Sequence, residues 1–463
     1  MLLRVAALTL LAACHGAGDE AVTYQRDVRP IVESRCMDCH APGGVAPLDM
    51  TFDASWTDGR PPWAEAAAAA VADGSMPPWQ AASDCHPIAD VRDVTDDERA
   101  LFAAWASGGF EAGAAADFQP PAPIEHPMDA RGATFGEPDF VLGGEAPYTP
   151  NTDKPDDYRC IVTDLDPLED LWIRGAEIEL DKSEIVHHLI AYVFSPNQAA
   201  GVDAQDAADP GPGYTCWGNP PADPLMTWAP GQRAEFLPEG MGRYIERGSR
   251  VVLQVHYNTL GRSEIPADAT KLRLWMTPGN AVPENLLTSI AFPDMNLYIP
   301  AGDPKVVERS ELSVSDYFGP LPIQLPVLGV MAHMHQLGSA ISLDVKQGRQ
   351  AKACVLDIPE WDFAWQQTYY FPEDDPLMVD GDTTFHMACT YDNSAANQQV
   401  VNGEQLEPRD VTWGDSTLDE MCLTYLMTSI PTLLLMMTLP HTLSVKDWYS
   451  LELNCLFCQP EVI

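Results

Sequence analysis

The sequence predicts a small helical unit followed by two all-β sandwiches. Three observations carry that expectation. The 463-residue length suits about three domains of roughly 150 residues each. Helical apolar spacing is confined to residues 21 to about 112. From about residue 135 the texture changes to short alternating runs such as RVVLQVHYNTL (250–260) and SAISLDVKQ (339–347), punctuated by Pro and Gly, as strands are.

Taken in order, residues 1–20 read as an export signal. Arg4 precedes a short apolar run that ends in small residues and is too short to span a bilayer. Leu-Ala-Ala-Cys also has the form of a lipoprotein cleavage box, which would make Cys14 the lipid-bearing first residue and the protein's one membrane attachment. The mature chain is then periplasmic or a cell-surface lipoprotein. In that oxidising compartment most of its eleven cysteines can pair.

Residues 21–112 form the helical unit. Val28, Ile31 and Val32 recur at helical spacing before Cys36, and the stretch 95–109 opens with a capping box from Thr95 to Glu98 and ends on Gly. Its apolar face carries Leu101, Phe102 and Trp105. An Ala- and Pro-rich stretch without periodicity, 113–134, reads as a linker. The β region then divides into 135–290 and 291–463, because a cluster of metal-type residues falls in each half and one sandwich runs near 100–150 residues.

Charge excludes one class of function. With 26 basic against 68 acidic side chains the net charge is −42, a field that repels nucleic acid and anionic membrane surfaces. Charged residues make up only 20% of the chain, so the excess describes an acidic solvated surface short of Lys.

Cys36-Met37-Asp38-Cys39-His40 is C-x-x-C-H, in which two thiols can form thioethers to haem vinyls and the adjacent imidazole reaches the iron. It ends a predicted helix just after an export signal. Met76, 36 residues beyond His40 in a Met-Pro-Pro loop, is the candidate sixth ligand, with His86 its rival. The order of motif, Met loop and closing helix resembles the cytochrome c family over roughly 90 residues, and the resemblance implies a covalent haem c.

Three clusters in the β region carry imidazoles. His187 and His188 are adjacent, and His256 lies on another run. Neighbouring residues on a regular strand face opposite sides, so the first two can share one ion only where a bulge or a strand end re-aims a ring. His333 and His335, two apart, face one side. Imidazole alone suits zinc, copper, iron or nickel. Asp-Glu-Met421-Cys422-Leu-Thr-Tyr425 completes a set: His-His, Leu-Gln-Val-His-Tyr, His-x-His-x-Leu-Gly and Asp-Glu-Met-Cys, in that order, resemble the copper type II ascorbate-dependent monooxygenases over about 300 residues. This is the family of peptidylglycine α-hydroxylating and dopamine β-monooxygenases.

The resemblance implies two jelly-roll-like copper domains on either side of a solvent-filled cleft. One ion is bound by His187, His188 and His256, the other by His333, His335 and Met421, and one oxygen atom from O₂ enters an sp³ C–H bond of a small organic substrate. It implies cleft roles for Tyr425 and Gln254 in placing substrate or solvent, and disulfides Cys160–Cys216 and Cys389–Cys422. Cys354 would join Cys455 or Cys458, with Cys85 left without an assigned partner. The Arg with which peptide-hydroxylating members hold a substrate carboxylate is replaced here by Met331, which argues against a peptide substrate. Electrons would come from ascorbate or a redox protein, and the fused haem offers a one-electron entry. The alternative reading is an exported copper-binding or electron-transfer protein without catalysis. A zinc hydrolase would need a carboxylate base beside an open site, and Glu184 lacks the helical spacing for it.

Overall fold

Alternating burial along the β-region strands is the direct product of the period-2 sequence texture. Thr383–Tyr391, for example, buries every second residue. The computed structural model describes residues 21–433, apart from 43–45, 47, 57–59, 90, 122–135, 154–155, 217–219, 221, 230–231, 233, 260–263, 319–323, 364, 402–403 and 415–417. The expected signal segment with Cys14, most of the expected linker, and Cys455 and Cys458 lie outside the described residues.

The described residues fall into two compact units. One takes 21–37, 50–77 and 93–121; the other takes 38–49, 78–92 and 136–433. The first is small and helical. Its closing helix Asp96–Ser107 carries the predicted capping box, with Thr95 accepting from the Glu98 N–H and Glu98 accepting from the Thr95 N–H. Phe102 and Trp105 on that helix are buried, and Tyr24 packs its ring against Trp63 at 5.9 Å and Trp105 at 5.8 Å.

The second unit is mostly β. A five-stranded sheet runs Tyr214–Thr215, Asp156–Val162, Arg250–Asn258, Val186–Phe194, Asp223–Trp228. A four-stranded sheet runs Val306–Ser313, Thr383–Tyr391, Gly338–Gln347, Ala353–Ile358. Each shares an apolar core with one end of a ten-stranded sheet: Ile173, Leu272 and Leu274 meet Leu189, Leu253 and Val255 in one core, and Val330, Leu426 and Ile430 meet Leu343, Val355 and Phe385 in the other. The two ends of the long sheet are joined by a parallel pairing of Met241–Ile245 with Asn285–Pro293. That last strand spans the expected boundary at residue 290, so the two sandwiches share backbone hydrogen bonds.

Residues 78–92, expected in the helical unit, group with the β unit. The Ala82 N–H donates to the Asp357 carbonyl at 2.8 Å and the Ala89 N–H to the Tyr370 carbonyl at 2.9 Å. Here one expectation is corrected: Cys354 is bridged to Cys85, not to Cys455 or Cys458, because this strap lies against the strand that carries Cys354. The other two disulfides, Cys160–Cys216 and Cys389–Cys422, form as expected. Three bridges fit a protein made for an oxidising compartment. Among the described residues no helix is long and apolar enough to cross a membrane.

Candidate metal centres

Strand Arg250–Asn258 turns Val251, Leu253, Val255 and Tyr257 into the sandwich core, which leaves Gln254 and His256 on the opposite face. Its neighbour Val186–Phe194 pairs Val186 with Tyr257 and His188 with His256, so two steps on one strand meet one step on the other. This is the β-bulge that adjacent histidines require, and it re-aims His187 toward the rings of His188 and His256.

The three Nδ1 atoms converge. His188 Nδ1 lies 3.2 Å from that of His187 and 3.3 Å from that of His256, and ligand atoms from all three residues fall within 4.8 Å of one another. Nitrogens bound tetrahedrally at ~2.0 Å from an ion stand about 3.3 Å apart. His188 therefore stands at the spacing of a shared ion from both His187 and His256. Asp156 Oδ1 holds His256 Nε2 at 2.8 Å, and Tyr158 stacks flat on the same ring at 4.1 Å. A carboxylate on the remote nitrogen fixes ring orientation and raises ligand basicity. Burial pushes the His187 ring down to about 4 and His188 well below its ordinary value, so both are neutral donors at physiological pH.

The second cluster leaves the end of strand Leu325–His333. Met334 is buried in the core, and alternation puts His333 and His335 on the other side with ring centroids 5.0 Å apart. His333 Nδ1 is 2.5 Å from Gln366 Oε1, and His335 Nδ1 is 3.0 Å from the Asp419 carbonyl. Because both acceptors are oxygens, each Nδ1 carries the proton and Nε2 presents the lone pair. Burial pushes His333 down to about 3.

Glu420 ties Met421 to this pair. Its carboxylate accepts from the N–H groups of His335 at 2.8 Å, Leu337 at 2.5 Å and Met421 at 3.3 Å. Burial raises the Glu420 carboxyl to about 8, against the pull of those donors. Tyr391 donates to the Met421 carbonyl at 2.8 Å, and the Cys389–Cys422 bridge anchors the next residue. Met421 itself is buried.

Both clusters open on one cavity of about 420 Å³, lined by His187, His188, His333, Met331, Gln366 and Tyr425 among others. Phe363 stands between them: its ring stacks on His187 at 5.7 Å and meets His335 edge-on at 6.0 Å. Tyr425 is the cross-strand partner of Met331 on the cavity wall. Gln254 is buried with its amide 3.9 Å from Cys216 Sγ and is outside the cavity lining. Asp156, Tyr158, Phe363 and Gln366 escaped the sequence reading, and Glu420 stood in it only as a member of the Asp-Glu-Met-Cys motif. The only available signal was the period-2 Asp156-x-Tyr158, which cannot name its partner strand.

Of the haem-type residues, Cys36 closes one helical turn, and Cys39 and His40 lie in the next, Met37–His40. All three are half-buried. His40 Nδ1 is 2.7 Å from the Leu48 carbonyl, which leaves Nε2 with the free lone pair. The Met76 N–H donates to the Ala70 carbonyl at 3.1 Å, beyond helix Ala64–Asp73. His86, the rival ligand, is engaged in the β unit, with Nε2 3.0 Å from the Asp375 carbonyl and its ring edge-on to Phe371 at 4.4 Å.

Residues 320–437 match the family model of the copper type II ascorbate-dependent monooxygenase, C-terminal domain. The matched stretch holds His333, His335, Met421 and Tyr425, and it supports a copper monooxygenase. No curated protein matches the chain. Among solved structures, the infectious bursal disease virus VP2 subviral particle aligns over 72% of this chain and 90% of that one, at 10% identity and a TM-score of 0.16, a likeness too slight to bear on the monooxygenase match.

Proposed function

We propose that the protein is an exported monooxygenase that hydroxylates an sp³ C–H bond of a small organic substrate with O₂. It would use two unequal coppers, one on His187, His188 and His256 and one on His333, His335 and Met421. The observation that supports this best is that two histidine clusters of different make-up, one already at ligand spacing, face a single cavity.

Bound copper supplies one-electron redox chemistry and affinity for dioxygen. The chain's residues set the terms. Three imidazoles suit an ion that shuttles between Cu(I) and Cu(II), whereas the Met421 thioether favours Cu(I). The largely apolar wall excludes water from the substrate, and Tyr425, beside Met331, orients it near His333. Glu420 is a positioning residue, since its carboxylate is spent on the backbone of the segments that carry His335 and Met421. Cys36 and Cys39 would hold a haem c covalently, with His40 and Met76 as the ligands of its iron, and ascorbate or a redox protein would supply electrons. An export lipid on Cys14 belongs to the same reading.

The test is oxygen uptake with alcohol product in the copper-loaded protein, beside a Met421→His variant. The expected outcome is coupled uptake in the wild type. The variant should keep its copper stoichiometry while turnover falls to near zero, because a harder third ligand shifts the preference toward Cu(II). Unchanged hydroxylation in Met421→His would remove Met421 from the centre, and copper-loaded protein that consumes no oxygen with any substrate would leave an electron-transfer protein.

A further inference from the structure

Between strands Ala353–Ile358 and Thr368–Tyr370 the chain forms a loop without strand pairing among its described residues. Three side chains of this loop act on the second histidine cluster. Gln366 Oε1 accepts from His333 Nδ1 at 2.5 Å while its Nε2 donates to the Phe363 carbonyl at 3.0 Å, which fixes the way the amide points. Trp361 Nε1 donates to the His335 carbonyl at 3.3 Å, and the Phe363 ring meets the His335 ring edge-on. Groups that bond a metal-type histidine set its orientation. Backbone without ladder bonds opens easily unless something packs on it, so the loop needs a support of its own.

The strap supplies that support, because it crosses both shoulders of the loop. Before the loop, the Ala82 N–H bonds the Asp357 carbonyl at 2.8 Å and Cys85 is bridged to Cys354. After it, the Ala89 N–H bonds the Tyr370 carbonyl at 2.9 Å and His86 Nε2 lies 3.0 Å from the Asp375 carbonyl. Ahead of these anchors the strap touches the loop and its exit. Gln80 Nε2 donates to the Asp362 carbonyl at 3.3 Å, between Trp361 and Phe363 in sequence. Trp79 sets its ring edge-on to Tyr369 at 5.3 Å and is itself held by its indole N–H, which donates to the Ala81 carbonyl at 2.9 Å.

We propose that Trp79 and Gln80 are positioning residues for the His333, His335, Met421 centre. Acting through the loop, they hold Gln366 on His333 and Trp361 on His335. The stretch that follows the helical unit in sequence is thereby part of the second centre's frame as well as a connection. The assignment rests on reading these histidines as metal ligands.

The test compares wild type, Trp79→Phe, and a double variant with Trp79→Ala and Gln80→Ala, leaving the anchors at Ala82, Cys85 and Ala89 in place. In the copper-free, full-length protein the Trp361 and Trp365 amides, bonded to the Ser339 and Asp362 carbonyls, should exchange hydrogen about tenfold faster in the double variant. The amides of Thr383–Tyr391 should keep their wild-type rates and so report an intact sandwich. In the copper-loaded protein, competitive chelation should find copper held about 10–100-fold more weakly at the centre whose X-ray absorption carries sulfur scattering, with the three-histidine centre unchanged. Trp79→Phe, which keeps a ring against Tyr369 and keeps Gln80, should match wild type in both readouts. Wild-type loop exchange in the double variant, faster exchange with undiminished copper affinity, equal weakening of both centres, or lost protection in Thr383–Tyr391 would each overturn the assignment. So would a Trp79→Phe protein as impaired as the double variant. If the wild type binds no copper at His333 and His335, the monooxygenase reading falls, and the exchange rates alone decide whether the strap aims the loop.

Discussion

At the scale of residues, each candidate centre consists of its ligands and the groups that aim them. Asp156 on the remote nitrogen of His256 is the clearest case, with side-chain atoms 2.8 Å apart. Replacing it with Asn removes the charge that orients and polarises the ring. Copper affinity at the three-histidine centre should fall by about 10–100-fold, read by competitive chelation, with the His333, His335, Met421 centre unchanged. The histidines also set a pH response in the copper-free protein. Their folded-state pKa values lie below the ordinary 6.5, at about 4 for His187 and about 3 for His333, so the unfolded chain takes up these protons first as pH falls. Their contribution is whole above pH 6.5 and drains away as pH falls toward 4 and then 3. The unfolding midpoint should decline across that window, less steeply in His187→Ala. The histidine positions and the need for a bulge at His187 were legible in the sequence. Asp156 and Gln366 were not, because they lie 100 and 33 residues from the histidines they serve, and the hold of the motif's Glu420 on His335 likewise appears only in the folded register.

At the scale of elements, the strand texture was readable because alternation survives wherever one face is buried, and the capping box at Thr95 marked its helix to the residue. Strand partners were not readable. The parallel pairing of Met241–Ile245 with Asn285–Pro293 joins what looked like two successive sandwiches, and such pairings are set by tertiary packing. Cysteine pairing is equally silent in a lone sequence, and so the strap 78–92 and its bridge from Cys85 to Cys354 came only from the fold. That bridge closes a loop 269 residues long in sequence. Cys85→Ser with Cys354→Ser should cost about 2–5 kcal/mol. The expected result is an unfolding midpoint lower by several degrees, with protease cleavage appearing first within 78–92. An unchanged midpoint and cleavage pattern would mean that the strap is held by its backbone bonds and the Trp79–Tyr369 contact alone.

At the scale of the whole molecule, the central claim is that one exported chain carries two unequal copper centres facing a shared cavity, supplied by a covalent haem on Cys36 and Cys39. The shared ten-stranded sheet gives both centres a common frame, and Phe363 packs between them where the resemblance implied open solvent. The most direct measurement is the copper, zinc and haem content of the mature protein after copper loading, taken alongside His256→Ala and His333→Ala variants. The account predicts two coppers and one covalent haem per chain, and close to one copper in each variant with the haem retained. Copper near zero with zinc held in its place, or both coppers lost together in either variant, would contradict it.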